Sequence, residues 1–167
     1  MQMNFCPQCG RALLLREVGD EGLQPFCAAC SRYYFDNTAP CVLAAIVNER
    51  GQVLLLRQRH IANAPTLCSG YVKKGNTLED TVRREVLEET GQHVDACLYA
   101  GSWYYPPKGL IMAGFLAWVT AREFGASREV DVLFWSGMDE AQRIIARENN
   151  LSGTVLDACA ALLHAQS

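Results

Sequence analysis

The 167-residue sequence lacks a long apolar run, a long polar tract and a strong excess of either charge. One of its most apolar stretches, residues 41–47, is far shorter than the ~18 residues that a membrane helix needs, so no transmembrane span is predicted. Half of the residues are hydrophobic and 20% are charged, which is typical of a compact folded domain rather than a disordered chain. A chain of this length supplies the core of one domain and leaves room for a small appendage.

Two further features are absent. No basic segment followed by an apolar segment opens the sequence, so we expect a cytoplasmic location. Fifteen basic and eighteen acidic residues give a net charge of −3, which argues against a large nucleic-acid-binding surface, because such surfaces are normally basic. A local basic patch is still compatible with this composition.

What the sequence does contain is eight cysteines, four of which form two pairs. Cys6-Pro-Gln-Cys9 and Cys27-Ala-Ala-Cys30 are separated by seventeen residues, which matches the spacing of a structural zinc site. Four thiolates complete a tetrahedral shell and leave no position for a substrate. Redox dithiols and buried free thiols are the alternatives. The pattern predicts a small N-terminal zinc ribbon at residues 1–36, with short strands at 12–17, 24–26 and 32–35.

Residues 37–167 show strand-like and helix-like patterns, which predicts an α/β domain. Apolar runs bounded by turn residues predict strands at 41–48, 52–57, 66–72, 94–104 and 110–120, and the last of these runs fits either burial or an interface. Helices are predicted at 77–90, 138–147 and 152–164. In the first helix, Thr77 is an N-cap, Asp80 is its capping-box partner, and Gly91 ends the helix.

The predicted helix at 77–90 carries glutamates at the edge of its apolar face. Leu78, Val82 and Val86 recur every four residues and form a stripe that faces the core. At a rotation of ~100° per residue, Glu85 and Glu89 border this stripe. Carboxylates in this position lose part of their hydration, so they need compensation from a positive group.

Glu85, Glu88 and Glu89 are neighbours on the helix surface and repel one another. Arg84 is one candidate partner, four residues before Glu88. A divalent cation is the other, because carboxylates without histidine or thiolate favour hard ions such as Mg²⁺ or Mn²⁺. A solvated acidic face with ion pairs is the structural alternative.

The sequence around this helix resembles the signature of the Nudix hydrolases: Gly, five residues, Glu, seven residues, Arg-Glu, an aliphatic residue, any residue, Glu-Glu, any residue and Gly. The residues that agree are Gly70, Arg84, Glu85, Val86, Glu88, Glu89 and Gly91. The resemblance implies an α/β/α sandwich around a mixed sheet. It also implies metal-dependent attack of water on a diphosphate that is linked to another moiety.

The resemblance also implies roles for individual residues. Glu85, Glu88 and Glu89 would hold Mg²⁺ or Mn²⁺, Arg84 would orient the glutamates, and Glu85 or Glu88 would act in catalysis, since family members differ in which glutamate is the base. Two residues depart from the signature. Asn76 replaces a glutamate that braces the arginine in the family, and Gln92 replaces an aliphatic residue. Lys73 and Lys74 can contact a phosphate or be solvated.

A zinc ribbon directly before a Nudix domain is the order found in the NADH pyrophosphatase group. That group has a characteristic tract after the signature, and here residues 101–112 match it in part through Ser102, Tyr105, Pro106 and Met112. By the same resemblance, Glu129 would be a further metal ligand. Expected substrate-binding residues are Gly70, Tyr71, Trp103 and Tyr105. The resemblance also suggests a homodimer.

The expected reaction is metal-dependent hydrolysis of the diphosphate linkage in a nucleoside diphosphate derivative, such as NADH, NAD or ADP-ribose. Removal of an NAD-type cap from RNA is a related alternative, although the acidic net charge makes other nucleic acids unexpected partners. A nucleotide- or RNA-binding module with weak or no catalysis is the alternative from another class. Asn76 keeps that alternative open, and the intact glutamates weigh against it.

Overall fold

The computed structural model describes residues 3–35, 38–59, 64–146 and 151–165, which form two compact units, Met1–Thr38 and Ala39–Ser167. The boundary that the sequence predicts between residues 36 and 37 lies outside the described residues, as does the predicted end of a helix at residue 147. Within the described ranges, no helix has the length and apolarity needed to cross a membrane.

The first unit is a small antiparallel sheet with an adjoining cysteine cluster. Its strands are β1 (Leu14–Glu17), β2 (Leu23–Cys27) and β3 (Arg32–Tyr33), with β2 in the centre. Gly10 closes the turn at the first cysteine pair, donating its N–H to Cys6 O at 2.8 Å with a positive φ of 72°. A glycine fits this turn because it adopts that conformation without steric cost.

The second unit contains a six-stranded mixed sheet. The strands are β4 (Ala39–Asn48), β5 (Gln52–Gln58), β6 (Cys68–Tyr71), β7 (Val94–Tyr105), β8 (Leu110–Val119) and β9 (Val130–Gly137). Their order is β7-β8-β4-β5-β9, and β6 pairs with β4. The β4–β8 pair is parallel and the other pairs are antiparallel. The apolar run of β8 is therefore buried between two strands of its own chain.

Helices cover both faces of this sheet, as the sequence predicts. They are α1 (Leu78–Thr90), α2 (Met138–Ala146) and α3 (Leu151–Ala165). On one face, Val82 and Val86 of α1 lie in a buried cluster with alternate residues of β4 and β5. On the other face, the remaining alternate residues pack against α2 and α3. These two apolar layers make an α/β/α sandwich.

One strand, β9, is missing from the sequence prediction. Its sequence, Val-Asp-Val-Leu-Phe-Trp-Ser-Gly, is rich in the β-branched and aromatic residues that favour strands. It pairs with β5 from Gln52↔Gly137 to Gln58↔Val130. This strand matters for function because it begins next to Glu129.

Helix α1 begins and ends where the sequence predicts. Thr77 Oγ1 accepts the N–H of Asp80 at 3.1 Å, and Asp80 Oδ2 accepts the N–H of Thr77 at 3.3 Å, which completes the capping box. At the other end Gly91 has a φ of 73° and donates its N–H to Leu87 O. Both ends of the glutamate-bearing helix are therefore fixed by local interactions.

We expect Thr77→Ala to lower the free energy of unfolding by about 1 kcal/mol, because the N–H of Asp80 loses its acceptor. Urea denaturation monitored by circular dichroism measures this change. Thr77→Ser keeps the hydroxyl and serves as the matched control, with stability close to that of the parent chain. Equal loss in both variants would contradict a capping role.

Candidate active site

A cavity of about 550 Å³ opens in the second unit beside the N-terminal part of β4 and one side of α1. Charged and polar residues line part of it: Gln58, Lys73, Arg84, Glu85, Glu88, Lys108 and Glu129. Apolar and aromatic residues line the rest, among them Leu43, Tyr71, Tyr105, Leu110, Met112 and Leu151. A cavity that combines acidic, basic and aromatic groups suits a ligand that has both charged and planar parts.

Glu85 reaches this cavity because Gly70 has no side chain. Gly70 pairs with Val42 in the β4–β6 ladder, directly beneath α1. A Cβ atom at Gly70 would overlap the Glu85 carboxylate. This close approach gives the first glycine of the signature a physical reason. Burial raises the pKa of Glu85, and the neighbouring Arg84 guanidinium opposes that shift.

Arg84 forms ion pairs with two of the three glutamates that the signature places on α1. Its Nη2 lies 2.6 Å from Glu85 Oε1, and its Nη1 lies 2.9 Å from Glu88 Oε2. Nη2 also donates to the carbonyl of Tyr71 at 3.1 Å. Arg84, one of the two candidate positive partners, therefore pairs with both Glu85 and Glu88.

One guanidinium nitrogen of Arg84 has no hydrogen-bond partner among the described residues. Nε is buried and makes no hydrogen bond to any residue that the structure describes. Asn76, which replaces the bracing glutamate of the signature, is exposed, and its backbone N–H donates to Lys73 O at 3.0 Å. Arg84 is therefore held through its terminal nitrogens alone.

Glu89 is the most buried glutamate of the site, with 3% of its surface exposed. Gln58 Nε2 donates to Oε1 over a long 3.4 Å, and Oε2 has no partner among the described residues. Burial raises the pKa of Glu89 to about 7, and the charges of Glu85 and Glu129 add to this rise, whereas contacts with the Cys68 thiol and the Ser69 backbone oppose it. A buried carboxylate oxygen without a donor is suited to bind a cation.

Glu129 lines the same cavity as Glu85 and Glu88, although forty residues separate it from α1 in the sequence. Its backbone carbonyl accepts the N–H of Arg59 at 2.9 Å, next to the first residue of β9. The structure thus brings the fourth expected metal ligand to the same cavity as the helix carboxylates.

The four expected substrate-binding residues have different positions. Gly70, Tyr71 and Tyr105 line the cavity, and Tyr71 is 54% exposed. Trp103 does not line it. Its indole packs above Gly114 and Gly101, where an added Cβ would lie only 2.6 and 2.9 Å from the ring. Trp103 belongs to the core that faces α3.

Some cavity residues were not expected from the sequence. Gln58 lies at the end of β5, where the pairing with β9 shifts by one residue, and such a bulge can re-aim a side chain. Lys108 lies in the turn between β7 and β8, and Lys73 lines the cavity whereas Lys74 does not. No local sequence pattern marks Gln58 or Lys108, because each enters the cavity only through strand pairing.

The donor set fits a hard divalent ion. Glu85, Glu88, Glu89 and Glu129 supply carboxylate oxygens only, and one of these oxygens is buried without a donor. Among the described residues, no three of these oxygens lie within 4.8 Å of one another, and Arg84 pairs with Glu85 and Glu88.

The first unit holds a separate group of metal-binding side chains. The Sγ atoms of Cys6, Cys9, Cys27 and Cys30 all lie within 4.8 Å of one another. Tyr34 lies outside this group, with its hydroxyl 3.0 Å from Cys6 Sγ. This hydrogen bond lowers the pKa of Cys6 to about 6. Four converging thiols can hold one tetrahedral metal ion and leave no open position.

The raised pKa of Glu89 predicts a pH-dependent stability. The folded chain holds the Glu89 proton up to about pH 7, whereas the ordinary value is 4.5. Ionisation therefore lowers the free energy of unfolding as the pH rises between these values. We expect Glu89→Gln to gain stability relative to the parent chain between pH ~5 and pH ~8, measured by urea denaturation without added divalent ions. Glu79→Gln is the exposed control, and a stability difference that is independent of pH would contradict the assignment.

Known proteins resemble this chain along most of its length. Residues 37–157 match the family model described as NUDIX domain. Two curated relatives are named NAD-capped RNA hydrolase NudC. The protein from Vibrio parahaemolyticus is 34% identical over 141 residues, which cover 83% of this chain and 52% of that protein. The protein from Photobacterium profundum is 32% identical over 165 residues, which cover 97% and 60%. The chain thus spans about half of the first relative and three-fifths of the second.

A solved structure has the same fold. The crystal structure of a NUDIX hydrolase from Nitrosomonas europaea superposes with a TM-score of 0.69 at 26% sequence identity and covers 86% of this chain and 84% of that one. The family prediction is confirmed, because the family model covers well over half of the chain and includes all the carboxylates of α1. The chain belongs to the Nudix family.

Proposed function

We propose that this protein hydrolyses the diphosphate linkage of a nucleoside diphosphate derivative in a reaction that depends on Mg²⁺ or Mn²⁺. The observation that carries this proposal is the convergence of four carboxylates, Glu85, Glu88, Glu89 and Glu129, on one region of the second unit. NADH, NAD and ADP-ribose are the substrate candidates. The NudC relatives, which are named NAD-capped RNA hydrolases, support this class.

In this proposal the carboxylates of Glu85, Glu88, Glu89 and Glu129 hold the divalent ions. When bound, such an ion neutralises phosphate charge and lowers the pKa of a coordinated water. Glu85 or Glu88 accepts the proton of the attacking water. Arg84 lies between these two carboxylates and sets their orientation through its terminal nitrogens.

Other side chains of the cavity suit the rest of the substrate. Lys73 and Lys108 supply positive charge that can pair with phosphate oxygens. Tyr71 and Tyr105 supply aromatic surface for a nucleobase or a nicotinamide ring. Trp103 does not line the cavity, because its ring packs over Gly101 and Gly114.

In the first unit, Cys6, Cys9, Cys27 and Cys30 hold one structural Zn²⁺ in this proposal. The zinc gives a ribbon of fewer than forty residues the core that it cannot otherwise build. None of the eight cysteines forms a disulfide, which fits the proposed cytoplasmic location. The homodimer suggested by the resemblance is part of the proposal, and light scattering in solution measures it.

Hydrolysis of an NAD-capped RNA is a second candidate, because both curated relatives carry the name NAD-capped RNA hydrolase. The chemistry at the diphosphate is the same in both cases. The candidates differ in what lies beyond the nucleotide, so the same enzyme preparation can be compared on a free dinucleotide and on a short RNA that begins with it.

The test is a panel of NADH, NAD, ADP-ribose, dinucleoside polyphosphates, nucleotide sugars and NAD-capped RNA with Mg²⁺ or Mn²⁺, with phosphate-bearing products measured by chromatography. We expect turnover of at least one member.

We expect Glu88→Gln to lower kcat/KM by ~10–100-fold or more, because loss of a residue that only supports a metal ligand already has an effect of that size. Glu79→Gln changes an exposed carboxylate of the same helix away from the cavity and should leave the rate unchanged. Tight binding of one member without any turnover would favour a nucleotide sensor.

The zinc assignment predicts a role for Tyr34. Its hydroxyl stabilises the Cys6 thiolate, so we expect Tyr34→Phe to speed transfer of zinc to a colorimetric chelator by ~10-fold. Tyr33→Phe is the matched control, because the Tyr33 ring packs against Phe26 with centroids 4.6 Å apart. Less than one zinc per chain in the purified protein, measured by mass spectrometry, would contradict the assignment.

A further inference from the structure

Gln92, one of the two departures from the Nudix signature, connects the end of α1 to the segment that leads to Glu129. Its side chain is completely buried. Its Oε1 accepts the N–H of Arg122 at 2.9 Å, and its Nε2 donates to the carbonyl of Arg122 at 3.0 Å. Nε2 also lies 3.4 Å from the carbonyl of Glu123. An aliphatic residue at this position could make none of these bonds.

The same segment, residues 120–129, meets the helix end through its backbone. Gly125 donates its N–H to Thr90 O at 3.0 Å. Gly91 and Gly125 are so close that a Cβ at Gly91 would lie 2.7 Å from Gly125 Cα. The neighbouring Phe124 ring stacks on Trp135 of β9, with centroids 6.2 Å apart. The beginning of the segment is thus attached to the helix and to the sheet.

The end of the segment is attached to β5. Arg59 donates its backbone N–H to Glu129 O at 2.9 Å, and its side chain pairs with Asp131 at 2.6 Å. Asp131 is the extra residue of the irregularity between Gln58↔Val130 and Arg57↔Val132. Glu129 is therefore the last residue of a segment that is held at both ends, and Gln92 holds the end that touches α1.

We propose that Gln92 is a positioning residue that fixes Glu129 relative to the carboxylates of α1 and thereby sets the affinity for the divalent ion. The inference rests on the proposed function, in which Glu129 acts toward that ion. Among the described residues, the Glu129 carboxylate accepts no hydrogen bond from α1. The position of Glu129 relative to Glu89 therefore depends on the backbone of residues 120–129. The buried amide of Gln92 makes three of the contacts that fix that backbone.

Replacement of Gln92 by an apolar residue should weaken the attachment and leave the fold intact. The Gln92 side-chain amide is hydrogen-bonded to backbone groups of Arg122 and Glu123, which are exposed residues. The substitution therefore removes three hydrogen bonds to this backbone. Leucine and methionine are close to glutamine in volume and introduce no large cavity.

The experiment is a double-mutant cycle on the whole zinc-loaded chain. Free Mn²⁺ is measured by electron paramagnetic resonance in titrations of the parent chain, Gln92→Leu, Glu129→Gln and the double variant. We expect Gln92→Leu to weaken Mn²⁺ binding by ~10-fold, and we expect no further weakening when Glu129→Gln is already present. Gln142→Leu is the matched control, because Gln142 bonds Asp157 between α2 and α3 at 2.7 Å, and it should leave Mn²⁺ binding unchanged.

Gln92→Met provides a second variant if Gln92→Leu does not fold, and circular dichroism checks the fold of both.

Additive effects of Gln92→Leu and Glu129→Gln on Mn²⁺ affinity would overturn the proposal, because they would mean that Gln92 acts independently of Glu129. An unchanged affinity in Gln92→Leu would also overturn it. Mn²⁺ binding with the expected coupling but no hydrolysis of any diphosphate would contradict the proposed function alone. A parent chain that binds no Mn²⁺ at this site would overturn both.

Discussion

The buried carboxylate of Glu89 is the constraint on which the rest of the site depends. A carboxyl group with 3% exposure loses its hydration, and the long hydrogen bond from Gln58 and the contacts with Cys68 and the Ser69 backbone do not fully replace it. The raised pKa records this loss, to which the charges of Glu85 and Glu129 contribute. The helix could avoid the cost with an apolar residue at this position. Burial of the Glu89 carboxylate is unfavourable by itself, and a bound cation would offset its cost. The arrangement therefore suits the proposed metal site.

Arg84 has two functions in this electrostatic balance. It compensates Glu85 and Glu88 while no metal is bound, which allows like charges to lie one turn apart on α1. It also competes with a divalent ion for the same oxygen atoms. Because its Nε has no partner, nothing in the described residues draws the guanidinium away from these carboxylates. Asn76, which replaces the bracing glutamate of the signature, offers Arg84 no such counter-charge.

The sequence predicts the features that depend on local spacing. The cysteine pairs, the caps at Thr77 and Gly91, and the apolar stripe of α1 all follow from residues within one turn or one short loop of each other, and the structure contains each of them. What fails is the prediction of features that depend on distant partners. Strand β9 forms because β5 supplies its ladder. Trp103 and Tyr105 lie on the same face of β7 and both pack against the core that faces α3, but only Tyr105 lines the cavity. A strand pattern cannot tell how far along one face a cavity extends. Gln58 lies beside the register shift between β5 and β9 and donates to Glu89.

The two departures from the signature, Asn76 and Gln92, act on opposite ends of the same helix. At its beginning, Asn76 replaces the glutamate of the signature, and Arg84 Nε has no hydrogen-bond partner among the described residues. At its end, the gain of an amide adds a connection between the helix and residues 120–129. The first change leaves Arg84 held only through its terminal nitrogens, and the second attaches the segment that leads to Glu129 to the helix end. The backbone contact between Gly91 and Gly125 makes this possible, because it brings the helix end close enough for a single side chain to bridge the gap.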